Sequence, residues 1–185
     1  MKHIIVIILL SISFSCFSQE VIHAAILNKT KLINENVGHF NLENDKWSID
    51  NYLYTMNENI IDSLTFVKLI NKAILEKSEK WRKGEIENTY LVEKDEILTI
   101  KKVLSELNHL NKKEIKTIRK QIRQFKNRPR EWRTWPISIT KPIFSDDHQF
   151  CIIGFVFGNT GRHTELYKKT NLKWEQIGTF NMWAH

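Results

Sequence analysis

Apolar residues recur every three or four positions through the first two-thirds of this chain. Through the last third they alternate with polar ones or run together. The first spacing belongs to helices with one buried face, the second to strands of a sheet. Val21, Ile22, Ala25 and Ile26 predict a short amphipathic helix over 20–27. Residues 29–60 are weakly patterned, with Gly38 and Asp50 as punctuation, and predict no definite element. Asp62 or Ser63 can cap a helix running to about Lys80, with Leu64, Val67, Ile70, Ile74 and Leu75 on its inner face. Gly84 marks a stop beyond Trp81, and 89–92 reads as a short strand. Asp95 can cap a further helix with the stripe Ile97, Ile100, Leu104 and Leu107. Asn111 and Glu114 have the spacing of a capping box. The helix they open carries Ile115, Ile118, Ile122 and Phe125 and ends before Pro129.

Beyond Pro136 turn residues separate four stretches of strand pattern. The first, 137–144, belongs at an edge, because Pro136 and Pro142 cannot donate to a ladder. The second, 150–157, is apolar on both faces and belongs in the middle of a sheet covered on both sides, or in a very crowded one. The third is 163–169 and the fourth 173–183, with Gly178 at a bulge. Short connections between consecutive strands imply an antiparallel meander. The fold class is therefore α+β: N-terminal helices (about 20–128) packed on a C-terminal antiparallel β-meander of about four strands (about 135–185).

Composition narrows the setting. Of 185 residues 42% are hydrophobic and 26% charged, with only 6 Gly and 3 Pro, which suits one folded domain and excludes long flexible linkers. Lys2 and His3 precede an apolar run over 4–12, followed by small residues. This is the layout of an export signal, 1–18, cleaved after Ser18 to leave a mature domain of 19–185. The alternative is a lipoprotein signal that keeps Cys16 as its anchor, although Ser13 stands where such signals prefer a large aliphatic residue. No other segment is long and apolar enough for a transmembrane helix. Cys151 is then the mature chain's one cysteine, set among apolar residues as a buried small hydrophobe would be, and no internal disulfide can form.

Formal net charge is +7, and one segment owns it: between 112 and 133 ten Lys or Arg stand against Glu114 and Glu131. Lys116, Arg119, Lys120, Arg123 and Lys126 project from the helix opposite its apolar stripe. Arg128, Arg130 and Arg133 extend the patch beside Trp132 and Trp135. These eight cations are the candidate ligand-binding residues, and an anionic polymer is the ligand they suit. A plain solvated face is the competing reading, since Glu114 early and cations late also complement the helix dipole.

Other chemistry is thin. His163 and Glu165 alternate onto one strand face, and His148 stands beside Asp146 and Asp147. Either group could serve as an acid–base pair or metal site, but no HExxH, CxxC or regular histidine spacing accompanies them. They are expected to be exposed polar positions, and no metal or cofactor is expected. No Gly-x-Ser-x-Gly, Ser-x-x-Lys or Gly-rich phosphate loop occurs. Trp174, Phe180 and Trp183 read as core or sheet-face packing.

Pro142-Ile-Phe-Ser-Asp-Asp147, the apolar strand 150–157, Gly158 and Gly161, Tyr167-Lys-Lys169, and Trp174 with Trp183 form a C-terminal pattern. In it the chain resembles a group of small exported proteins of Bacteroidota, as it does in the signal ending Phe17-Ser-Gln-Glu20. The resemblance implies export and this architecture, and it implies no activity. Many of the group carry a Cys pair near the Gly-containing turn, where this chain has Gly158-Asn-Thr-Gly161, so no metal site or disulfide carries over. The functional expectation is a non-enzymatic periplasmic or secreted module that binds another envelope component. The alternatives are a binder of lipopolysaccharide or acidic glycan through 112–133, and a hydrolase with a dispersed site.

Overall fold

A computed structural model describes residues 18–26, 30–36, 42, 46–55, 60–76, 80–93, 95–127 and 136–184. Residues 1–17, with Cys16 and the expected export signal, lie outside the described residues, as do Arg128, Arg130, Arg133, Trp132 and Trp135. Helix α1 (18–26) is followed by β1 (Leu32–Asn34), α2 (Lys46–Thr55), α3 (Ser63–Leu75), β2 (Tyr90–Val92), α4 (Ile100–Glu106) and α5 (Lys112–Asn127). Then come β3 (Ser138–Ile139), β4 (Ile143–Phe144), β5 (Phe150–Val156), β6 (Gly161–Thr170) and β7 (Lys173–Ala184). The class is α+β with a C-terminal antiparallel meander, as the change of period predicts. No helix among the described residues is long and apolar enough to cross a membrane.

Strand β5 is central. It pairs with β6 along one edge and with both β3 and β4 along the other, and β6 pairs with β7. The single strand expected over 137–144 is thus two short ones. Pro142 has no N–H to give, and Thr140 takes over beside the break. Its N–H donates to Gly154 O at 3.0 Å, and its hydroxyl accepts from Gly154 N at 2.9 Å.

Alternation along β5 sends Cys151, Ile153 and Phe155 to one face and Ile152 to the other. The first set packs on Val21, Ile22, Ala25 and Ile26 of α1 and on Trp81. Ile152 and Phe150 pack with Phe66, Leu69 and Ile70 of α3. Helices on both faces explain why this strand is apolar throughout, each fully buried side chain contributing about 1.5–3 kcal/mol. Trp81 also donates from Nε1 to Ile139 O at 3.1 Å, tying the loop before β2 to the sheet edge.

Strand β1 falls in the stretch that predicts nothing. It pairs in parallel with β2 in the register Leu32↔Tyr90, Ile33↔Leu91, Asn34↔Val92. A bridge from Ile33 to Ile137, with Asn34 N donating to Ile137 O at 2.8 Å, joins this small sheet to the meander beside β3. Leu32, Tyr90 and Val92 form a third core with Leu98, Val103, Leu107, Ile118 and Ile122, and this is where α4 and α5 dock.

Two local expectations need correction, and the bulge expected at Gly178 is located. Helix α3 ends at Leu75 and buries Phe66, Leu69, Ile70 and Ala73, while Leu64, Val67 and Leu75 are exposed. The buried set follows i, i+3, i+4, i+7, and Phe66 is the bulky residue that orients it. Asp62 does cap it, accepting from Thr65 N at 2.9 Å. Helix α4 is capped by Thr99, not Asp95, and starts too late to use Ile97, which is 80% exposed. Asp95 instead turns the chain with φ 62°. At Gly178 the register shifts between Leu166↔Gly178 and Tyr167↔Gln176, so the bulged extra residue is Ile177. Glycine is required beside it because an added Cβ would lie 2.0 Å from the Tyr52 hydroxyl of α2.

Candidate functional site

Helix α5 begins as its sequence dictates. Asn111 Oδ1 accepts from Lys113 N and Glu114 N at 2.9 and 3.0 Å, and Glu114 Oε2 accepts from Asn111 N at 2.9 Å. This capping box satisfies three end groups and commits the helix's one carboxylate to its first turn. Glu114 also lies 3.7 Å from Lys31 Nζ. Ile118 and Ile122 are buried, Ile115 and Phe125 partly so, and Lys116, Arg119, Lys120, Arg123 and Lys126 are all exposed.

Some cations elsewhere in the fold are paired. Lys72, Lys80, Lys83, Lys102, Lys141 and Lys169 each have a carboxylate within ion-pair distance, at 2.6 to 3.6 Å. None of the five on α5 does among the described residues. Four of them, with Gln124 and Asn127, line a concavity of about 580 Å³. The arrangement is a shallow cationic trough with no built-in counter-charge, which can attract and hold a polyanion.

The strand histidine proves different from its expectation. Alternation along β6 puts His163, Glu165 and Tyr167 on one face, opposite Phe155, Ile153 and Cys151 of β5. Glu165 is 4% exposed and Tyr167 3%, so these are interior groups, not exposed polar positions. His163 Nε2 lies 2.9 Å from Glu165 Oε1, and the Tyr167 hydroxyl donates to Glu165 Oε2. The imidazole stacks with Phe155 and Phe157, centroids 5.1 and 5.2 Å away. Burial, and then the neighbouring carboxylate, push the Tyr167 phenol well above its usual range. The burial follows from pairing with a strand covered on both faces. The sequence carried that signal in the alternation of 163, 165 and 167 against an apolar neighbour strand.

The second polar group also turns inward on itself. Asp146 pairs with Lys72 at 2.6 Å, and Asp147 accepts from Ser145 Oγ at 2.5 Å and from Gln149 N at 3.1 Å. These contacts, Lys72 for Asp146 and the Ser145 hydroxyl for Asp147, hold both carboxyls below their ordinary range. The His148 ring rests on Phe144 at 5.7 Å. No group of three or more His, Cys, Asp or Glu with metal-site geometry occurs among the described residues. Cys151 is fully buried, and that burial pushes its thiol up. Trp174 and Phe180 are core residues.

Two larger clefts were not foreseen. One, about 770 Å³, lies between the 83–89 loop, the open edge of β2 and α4. The ion pair Lys83–Glu106 joins its walls at 2.7 Å. Within it Lys102 holds Glu96 at 2.7 Å, and Glu96 also takes the Tyr90 hydroxyl. Burial and then that hydrogen bond push Tyr90 up to about 12. The other cleft, about 740 Å³, opens between α1, α3 and residues 141–148. Its cations Lys72 and Lys141 already face Asp146 and Glu85. Neither His163 nor Glu165 lines any of the three concavities.

No family model, curated protein or solved structure matches this chain.

Proposed function

We propose that this is an exported, non-enzymatic module of the cell envelope, periplasmic or secreted, that binds an anionic polymer of that compartment through the outer face of α5. That Lys116, Arg119, Lys120, Arg123 and Lys126 have no ion pair among the described residues carries the reading. An ordinary solvated helix gains from interleaved carboxylates at i+3 and i+4, and this one has none past Glu114. The leader pattern and the resemblance to exported proteins supply the compartment, where lipopolysaccharide and acidic glycans are the polyanions within reach. Anchoring at Cys16 would hold the same module at a membrane.

The test is retention on immobilised heparin or lipopolysaccharide over a salt gradient. Binding is expected to weaken steeply with salt, and Arg119→Glu with Arg123→Glu to shift elution to lower salt. Unchanged elution of the double variant would remove the proposal. The hydrogen bond between His163 and Glu165 favours a second reading, a hydrolase using them as an acid–base pair. A screen of ester, phosphate and peptide substrates, repeated with His163→Gln, decides it; silence in all three classes dismisses it.

A further inference from the structure

We infer that the ligand of α5 is an acidic polysaccharide bearing about one carboxylate per sugar and lying along the helix axis, an assignment that rests on the polyanion reading above. The outer face of α5 is written twice: Lys116-Thr-Ile-Arg119 and Lys120-Gln-Ile-Arg123 share the pattern Lys-x-Ile-Arg. In each unit the isoleucine is the anchor, Ile118 at 1% and Ile122 at 2% exposure. Both units are therefore held in fixed register on the small sheet while their Lys–Arg doublets face outward. Four helical residues rise about 6 Å, so the doublets repeat along the axis at about that interval. That interval is comparable to one sugar of an extended chain, which makes a regularly spaced uronate a matching partner. The guanidinium fork of Arg119 and Arg123 suits a planar carboxylate better than a point charge would.

The rest of the concavity separates sugar from other polyanions. Gln124 and Asn127 line it, both exposed, and neither amide makes a hydrogen bond among the described residues. Each amide can both donate and accept, the pairing a hydroxyl needs and a bare polyanion does not. No aromatic ring lines the trough among its described residues. None of the large exposed hydrophobics among the described residues lies on α5. From residue 116 to residue 127 the helix climbs about 16 Å, enough for about three sugars.

The experiment measures binding of the full chain to four probes at one ionic strength: oligogalacturonate, its methyl ester, polyglutamate of equal charge, and vesicles rich in anionic lipid. Single-stranded DNA of equal charge is a fifth. Oligogalacturonate is expected to bind tightest and the neutral ester not at all. Gln124→Ala with Asn127→Ala should weaken oligogalacturonate about tenfold, the scale of two modest hydrogen bonds, and leave polyglutamate unmoved. Arg119→Glu with Arg123→Glu should weaken every polyanion. If polyglutamate, DNA or vesicles bind as well as the uronate, or the amide variant changes nothing, the sugar assignment fails while the polyanion face stands. If no polyanion binds, or the charge-reversed variant binds as the parent does, the parent reading fails with it. All the altered side chains are exposed, so unchanged far-ultraviolet circular dichroism and melting confirm that the variants are folded.

Discussion

On α5 five cations stand in solvent with no carboxylate in ion-pair reach among the described residues, whereas on β6 a carboxylate, an imidazole and a phenol pack with Phe155, Phe157 and the core beneath α1. The two regions handle charge in opposite ways. Inside, a carboxylate stripped of water persists only if its lone pairs are taken, and His163 and Tyr167 take them. Outside, an unpaired cation costs little, because water and salt screen it. A buried network is held in place by the bonds it satisfies. The exposed row suits the helix dipole only toward its C-terminal end, and the proposed polyanion accounts for the rest.

The largest expected effect tests the first half of that contrast. Glu165→Ala strips the partner from both neighbours and should destabilise the protein by about 3 kcal/mol, the scale of leaving buried polar groups unsatisfied. The guanidinium unfolding midpoint reads it. A loss below about 1 kcal/mol would mean that the cluster is solvated and belongs with the exposed chemistry instead. Tyr167→Phe removes one hydrogen bond and should cost about 1–2 kcal/mol, unchanged between low and high salt, since buried pairs are weakly screened.

The Tyr90–Glu96–Lys102 group sharpens the comparison because it lies between the extremes. Burial raises Glu96, but Lys102, the Tyr90 hydroxyl and the Glu93 amide outweigh it and hold the carboxyl below its ordinary value. Tyr90 is buried, and its phenol is raised from 10.0 to about 12. The neutral phenol is thus the form the fold prefers. Its contribution is complete below pH 10, the unfolded value, and drains away as pH rises through about 12. Unfolding curves across pH 9 to 12 should show this falling arm, flatter in Tyr90→Phe; identical arms would place the tyrosine in water. Tyr167 is raised too and adds to the same alkaline loss, so the double variant should be flatter still.

Local signals carried the reading of α5 and β5. Asn111 and Glu114 advertise their cap within four residues, and an apolar run bounded by turn residues on both sides points to a strand covered twice. What sequence could not carry was pairing at a distance. Three residues of β1 have no period to detect, and their partners in β2 lie far along the chain. The inner face of α3 was misread because its apolar band is wider than the surface it meets, and only the sheet decides that Phe66 turns in and Leu64 out. His163 and Glu165 were placed on one face correctly but assigned to solvent, since alternation gives the face and not what covers it. For the trough, side-chain type and direction were legible. The absence of nearby carboxylates from other elements was not.

The smallest effect is the most telling for α5. Arg119 stands three residues after Lys116 and four before Arg123, both like-charged neighbours on the helix surface. Arg119→Glu removes two repulsions and adds two attractions, each worth about 0.2–0.5 kcal/mol, and should raise stability by about 1 kcal/mol at low salt. The same change should weaken polyanion binding. Stability and binding moving in opposite directions is the mark of a side chain kept for a ligand at the fold's expense. Denaturant unfolding of the parent and the variant at low and high ionic strength measures the first arm, and the gain should vanish with added salt. A variant less stable than the parent would show that Arg119 serves the helix itself, and the contrast with β6 would collapse into two structural networks.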